Sequence, residues 1–136
     1  MKITIINGSP RKNGNTAKVL KTMAARLTEL GCEHIEYIDL VDCQITPCIG
    51  CAACYKTGSC VIHDDAEMIN GHIAGSQGVI IGSPTYVSNV SGFLKTYIDR
   101  GHIVLEQSYR SKRVLPIVTY GVSGGGKVIK MLKNTT

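Results

Sequence analysis

The sequence predicts an α/β protein built on a doubly wound parallel sheet. Three observations carry that reading. Apolar β-branched runs alternate with stretches of helical period along the whole chain. Three of those runs, KITIING, GVIIGSP and RVLPIVTYG, end in a glycine- or proline-containing turn ahead of a helical stretch. The 136 residues, 43% hydrophobic with a mean hydropathy of +0.08, are enough for one hydrophobic core and so for a single domain over 1–136.

In chain order, KITIING (2–8) reads as a buried strand closed by Gly8. TAKVLKTMAARLTELG follows with Leu20, Met23, Ala24 and Leu27 on one helical face and Gly31 as the stop. EHIEYIDL (33–40) is a second, more polar strand and is expected near an edge. Residues 41–63 show neither period, so this cysteine-rich insertion needs an organiser other than a hydrophobic stripe. Asp64 with Glu67 reads as a capping box that opens a short helix through Ile73. GVIIGSP (78–84) is the clearest buried strand, and Val90, Phe93, Leu94, Tyr97 and Ile98 then mark a helical apolar face. RVLPIVTYG is a fourth strand in which Pro116 argues against a central position, and GGGKVIKMLKNTT starts a last helix.

In such sheets ligands bind outside the carboxyl ends of the strands. Three loops are placed there. The first, Asn7 to Thr16, leads into a helix N-terminus, where backbone N–H groups and the helix dipole favour a phosphate. Ser9, Asn13, Asn15 and Thr16 add donors, and Gly8 and Gly14 allow close approach. Asn15 stands where a Walker loop would carry lysine, which argues against nucleoside triphosphate chemistry. In the second loop Pro84 and Thr85 stiffen the exit, and Tyr86 either covers a planar ligand or roofs the core. The third, Thr119 to Gly126, holds Gly121, Gly124, Gly125 and Gly126, which suits backbone contact with a ring edge. Together the loops outline a phosphate at one end and a flat ring at the other.

Cys48, Cys51, Cys54 and Cys60 have the spacing C-x2-C-x2-C-x5-C. Structural zinc sites pair two C-x2-C hairpins, and no second hairpin is present here. Successive x2 intervals are those of a bacterial ferredoxin run, and Gly58 lets the chain turn back for Cys60. A [4Fe-4S] cluster is the leading reading, and its ligation would order the insertion. A zinc knot, a redox disulfide pair and metal-free cysteines remain open. Cys32 and Cys43 fit neither pattern and read as small hydrophobes.

The stretches GSPRKNGNT, CIGCAACYKTGSCVIHDD and GSPTYVSNVSGFLKTYIDR resemble the NADPH-dependent FMN reductase family, and within it the iron–sulfur flavoprotein branch. The resemblance implies a flavodoxin-like fold. It implies FMN, with its phosphate in the Ser9–Thr16 loop that includes Arg11, Asn13, Gly14 and Asn15. It places the ring against Pro84, Thr85 and Tyr86, near Thr119, Tyr120, Gly121, Gly124 and Gly125. It also implies that family members continue through a fifth strand and final helix, which this chain is expected to lack. RVLPIVTYG would then be an exposed edge for a partner subunit, hence a homo-oligomer, dimer or tetramer. Lys95 and the Asp99–Arg100 pair match a recurring helix end, for which a packing role is expected.

The leading function is an FMN-dependent oxidoreductase with NAD(P)H as co-substrate or ferredoxin as donor, moving electrons through FMN and a [4Fe-4S] cluster. The alternatives are a non-enzymatic electron carrier or redox-sensing module, and a zinc-stabilised interaction domain. No residue is assigned as catalytic, because the flavin carries the chemistry. The net charge of +5 is spread over small clusters (Arg11–Lys12; Arg110, Lys112 and Arg113; Lys127, Lys130 and Lys133) without interleaved aromatics, which argues against nucleic acid. No apolar run approaches the roughly 20 residues of a membrane span, and MKITIINGSP does not read as a secretory signal. The expected compartment is the cytoplasm, where six cysteines favour metal or redox work over stapling. His63 beside Asp64 and Asp65 reads as a helix start before a metal pair, and His34, His72 and His102 as isolated residues.

Overall fold

The computed structural model describes residues 1–109 and 112–135. Four strands, β1 (Lys2–Asn7), β2 (His34–Asp39), β3 (Gly78–Pro84) and β4 (Arg113–Thr119), form one parallel sheet in the order β2-β1-β3-β4. This is the doubly wound, flavodoxin-like order expected from the sequence. β1 and β3 are central and almost wholly buried. Pro116 lies in β4, an edge strand of the described sheet, where its missing N–H costs no ladder bond on the open side.

The helices are α1 (Asn15–Glu29), α2 (Ala53–Thr57), α3 (Asp65–Ala74), α4 (Gly92–Tyr109) and α5 (Gly125–Thr135). Alternate strand residues feed two cores. Ile6, Ile38, Val79 and Ile81 pack with Ile69 and Ile73 of α3, Leu94, Tyr97 and Ile98 of α4, and Val128 and Leu132 of α5. Ile3, Ile5 and Ile80 face the other way onto Leu20, with Met23, Ala24 and Leu27 half-buried beside them. Lys127, Lys130 and Lys133 form the solvated face of α5. Arg110 and the side chain of His102 lie outside the described residues. No helix among the described residues is long and apolar enough to cross a membrane.

Three expectations need correction. Phe93 is 41% exposed and is not part of the α4 core face, because Val90 precedes the helix and Ser91 takes the capping position, its Oγ accepting from Leu94 N–H. The capping box at α3 forms by half: Asp64 accepts from Ala66 N–H, while Glu67 turns outward to His63 at 3.1 Å. The 41–63 insertion is not structureless, since a 3-10 turn (Leu40–Asp42) and the one-turn α2 interrupt it.

Candidate functional site

A cleft of about 320 Å³ opens at the carboxyl ends of β1, β3 and β4. Ser9, Arg11, Gly14, Asn15 and Thr16 of the first loop line it together with Pro84, Thr85 and Tyr86 of the second and Thr119, Tyr120 and Gly121 of the third. The sequence had placed all of these on ligand-facing loops. Below the first loop lies Asn7, fully buried, whose Nδ2 donates to Asp39 Oδ1 at 2.6 Å and whose Oδ1 accepts from Ser9 N–H at 3.1 Å. Gly8 cannot carry a side chain here: a Cβ would sit 2.8 Å from Leu94 Cβ and 2.9 Å from the Gly82 carbonyl. Ser91 Oγ donates to Gly8 O and ties this loop to the start of α4.

The N-terminus of α1 has Gly14 as its N-cap and no side chain capping it. Its first-turn N–H groups are therefore left to the cleft, the arrangement that suits an anion. Thr16 does not add a free hydroxyl as expected: its side chain is buried and its Oγ1 pairs with Thr119 Oγ1 at 2.6 Å, joining the first and third loops. Thr85 N–H donates to Thr119 O at 2.8 Å, while Thr85 Oγ1 is buried without a partner among the described residues. A buried orphan hydroxyl at a cleft wall is costly unless a ligand satisfies it.

Asn13, Gly124 and Gly125 do not line the cleft. Asn13 is exposed and faces Lys21 Nζ at 3.5 Å. The two glycines shape the third loop from behind. Gly124 has φ +90° and would press on Ser88 and Thr85, and a Cβ on Gly125 would strike the Tyr120 ring at 2.2 Å. Tyr120 can lie where it does because position 125 has no side chain.

Tyr86 is 44% exposed, so it does not roof the core. It stands between the cleft and a second, apolar pocket of about 400 Å³ lined by Pro10, Leu40, Cys43, Ile45, Phe93 and others. Tyr86 and Asn89 exchange backbone hydrogen bonds at 2.9 and 3.0 Å around Val87 (φ 50°) and Ser88 (φ 59°). Two successive left-handed residues make a primed turn, and a β-branched Val there is strained by about 1–2 kcal/mol. The fully exposed Val87 side chain gives no packing return for that strain.

The cysteine loop is built differently. Cys48 and Cys51 are exposed and Cys54 and Cys60 half-buried, yet all four border one small cavity of about 30 Å³. That is room for about one water. Among the described residues no three His, Cys, Asp or Glu side chains stand as a set that could hold a metal ion. Left-handed Gly50, Ala52 and Gly58 supply the sharp turns, and Gly50 N–H donates to Cys48 Sγ at 3.4 Å.

The base of this loop is ordered by hydrogen bonds, a device the sequence reading did not foresee. Arg100 of α4, whose side chain is 1% exposed, meets Asp64 at 2.7 and 3.2 Å, Thr46 O at 2.6 Å and Ile62 O at 2.9 Å. Asp64 also accepts from Thr46 N–H at 2.9 Å, and Gln44 N–H donates to Asp65 at 2.7 Å. Burial alone would raise the Asp64 pKa. The Arg100 guanidinium and the Thr46 and Ala66 N–H groups outweigh it and hold the carboxyl below its ordinary range. Arg100, for which a packing role more than a catalytic one is expected, thus ties the base of the insertion to α4. Lys95 bridges to Asp99 on the surface at 2.5 Å.

The remaining candidates recede. Cys32 is buried in the α1-side core, and Cys43 is half-buried with its thiol pKa pushed up, first by burial and then by Asp65, Asp42 and Asp39. His63 and Glu67 form an exposed i,i+4 pair, His34 is exposed, and His72 faces Glu36 at 3.6 Å.

The sequence profile of NADPH-dependent FMN reductases matches residues 1–136. An iron–sulfur flavoprotein of Clostridioides difficile (strain 630) is 43% identical over 136 residues, covering 98% of this chain and 60% of that protein. An iron–sulfur flavoprotein of Archaeoglobus fulgidus is 41% identical over 128 residues, covering 93% of this chain and 62% of its own length. The chain thus spans about three-fifths of the curated relatives it matches. Among solved structures, an apo NADH:FMN oxidoreductase superposes with a TM-score of 0.72 at 21% identity, covering 98% of this chain and 66% of the other, a likeness of fold. With its strand order, its strand-end cleft and this match along the whole length, the chain belongs to the NADPH-dependent FMN reductase family.

Proposed function

We propose that this chain is the FMN-binding part of a flavin-dependent oxidoreductase of the iron–sulfur flavoprotein type. The observation that carries the reading is the strand-end cleft, where the uncapped start of α1 meets the orphan Thr85 hydroxyl. The donor set fits FMN. Ser9, Arg11, Gly14 and Asn15 would hold the phosphate end, and Pro84, Thr85, Tyr86, Tyr120 and Gly121 the ring end. Bound FMN accepts a hydride or two electrons and can release them one at a time. The chain's own part is to fix the phosphate by N–H groups and dipole, to present Thr85 Oγ1 as a donor or acceptor at the ring edge, and to shield one side with Tyr86.

The four thiols fit a [4Fe-4S] cluster by type and spacing, and all face one cavity, although its present volume requires the exposed turns to spread around such a cluster. The donor of electrons is NAD(P)H, with ferredoxin as the second reading. A homo-oligomer, dimer or tetramer, is part of the same reading and rests on the resemblance to the iron–sulfur flavoprotein branch. The cytoplasm fits six cysteines that are all free thiols.

An absorbance spectrum with FMN, iron and zinc analysis of anaerobically purified protein tests the reading. FMN near one per chain with iron is expected; a colourless zinc protein would support an interaction domain instead. Stopped-flow bleaching of the flavin by NADPH separates an enzyme from a carrier, since a carrier would be reduced only by a protein donor. Gel filtration is expected to give a dimer or tetramer, and a well-folded monomer overturns the oligomer.

A further inference from the structure

The inward face of α4 is apolar at Leu94, Tyr97 and Ile98, yet the next turn sends an arginine inward. A buried ion pair contributes little to stability compared with well-packed apolar residues, so packing alone does not account for Arg100. Three features point to another use. Its terminal nitrogens bind Thr46 O and Ile62 O, which closes the chain on either side of the segment that contains all four clustered cysteines. Its Nε is buried and has no hydrogen-bond partner among the described residues. And the same side chain borders the small cavity shared by Cys48, Cys51, Cys54 and Cys60. A buried N–H left without a partner, on a side chain that borders a cavity lined by four cysteines, calls for an acceptor, and a cysteine sulfur of that cavity can supply one.

We propose that Arg100 is the positioning residue of the iron–sulfur site: it closes residues 46–62 at their base before metal arrives, and it offers its Nε–H and its charge to the sulfur atoms gathered in the cavity. This rests on the cluster reading above. Two consequences follow. The loop of the iron-free protein is already held at its ends, so iron binding has to order only the turns between them. A positive charge and an N–H donor beside the sulfurs favour the reduced, more negative cluster and raise its potential. Lysine cannot reproduce both roles, because it lacks the planar fork that reaches two carbonyls and a carboxylate at once.

The test compares wild type, Arg100→Lys and Arg100→Met, each purified with FMN and reconstituted anaerobically with ferrous iron and sulfide. In iron-free protein, amide exchange over 46–62 is expected to be at least tenfold faster in both variants, with FMN content unchanged. Iron per chain should fall at least twofold in Arg100→Met. In Arg100→Lys the cluster that does form should be harder to reduce by at least tenfold, about 59 mV for one electron. A potential in Arg100→Lys equal to wild type overturns the proposal, as does wild-type exchange over 46–62 in both variants. If Arg100→Met fails to fold, judged by loss of FMN, the lysine variant decides alone. Wild type that takes up FMN but no iron overturns the cluster reading and this proposal with it. Wild type that loads iron beside an unchanged Arg100→Lys overturns only the role of Arg100.

Discussion

The strand-end cleft and the cysteine loop are both made of chain between regular elements, but they are held by opposite means. The cleft is the by-product of the sheet. Its loops leave β1, β3 and β4, and backbone groups, a fully buried Asn7 and a Thr16–Thr119 pair fix them. The cysteine loop leaves the sheet altogether. Its base is fixed chiefly by buried Arg100 with Asp64, together with Asp65 holding Gln44 N–H, and two of its clustered thiols, Cys48 and Cys51, are exposed. A site inherited from the fold is ready for its ligand, whereas a site on an insertion needs a dedicated anchor and completes itself on what it binds.

That contrast predicts separable effects. Cys51→Ala should abolish the iron and its broad visible absorbance while FMN remains bound, as read by metal analysis and flavin release. Loss of FMN together with iron would show that the two regions are not independent. Asp64→Ala leaves Arg100 as an unpaired buried charge and should cost about 3–5 kcal/mol in denaturant unfolding. In acid the same pair gives a signed effect. The folded-state pKa of Asp64 is depressed, so the unfolded state binds more protons in this range and stability rises with pH. The contribution is complete above the unfolded carboxylate value of about 3.9 and is lost as pH falls through the lower folded value. Wild type should therefore lose more stability than Asp64→Asn between pH 5 and pH 2, a comparison of two unfolding series.

Thr16→Val removes one hydroxyl of the pair that joins the first and third loops of the cleft. It should cost about 1–3 kcal/mol and weaken FMN severalfold, with iron content unchanged. Lys95→Met breaks a half-exposed i,i+4 pair and should move stability by about 0.5 kcal/mol or less, with both cofactors retained.

Much of the cleft was legible in the sequence. A strand followed by a polar, glycine-containing turn and a helix start is a local pattern, and local patterns survive folding. The exceptions at Asn13, Gly124 and Gly125 came from treating every residue of a loop as facing its ligand. Gly125 is required by a ring five residues back, Tyr120, which no periodicity reveals. Phe93 was misplaced because Ser91 caps α4 and starts the helix later than its apolar spacing suggested.

The sequence by itself determined the strands, the amphipathic α1 and the thiol-rich insertion, since each depends on spacing along a few neighbouring residues. Only the tertiary structure decided what holds that insertion. Arg100 meets Asp64 across 36 positions and Thr46 across 54. Nothing in a run ending in aspartate and arginine tells which of the two is buried. α4 packs against the sheet on its apolar face, and that packing places Arg100 where Thr46 O, Ile62 O and the Asp64 carboxylate come within hydrogen-bond reach, beside the cavity that the four cysteines border.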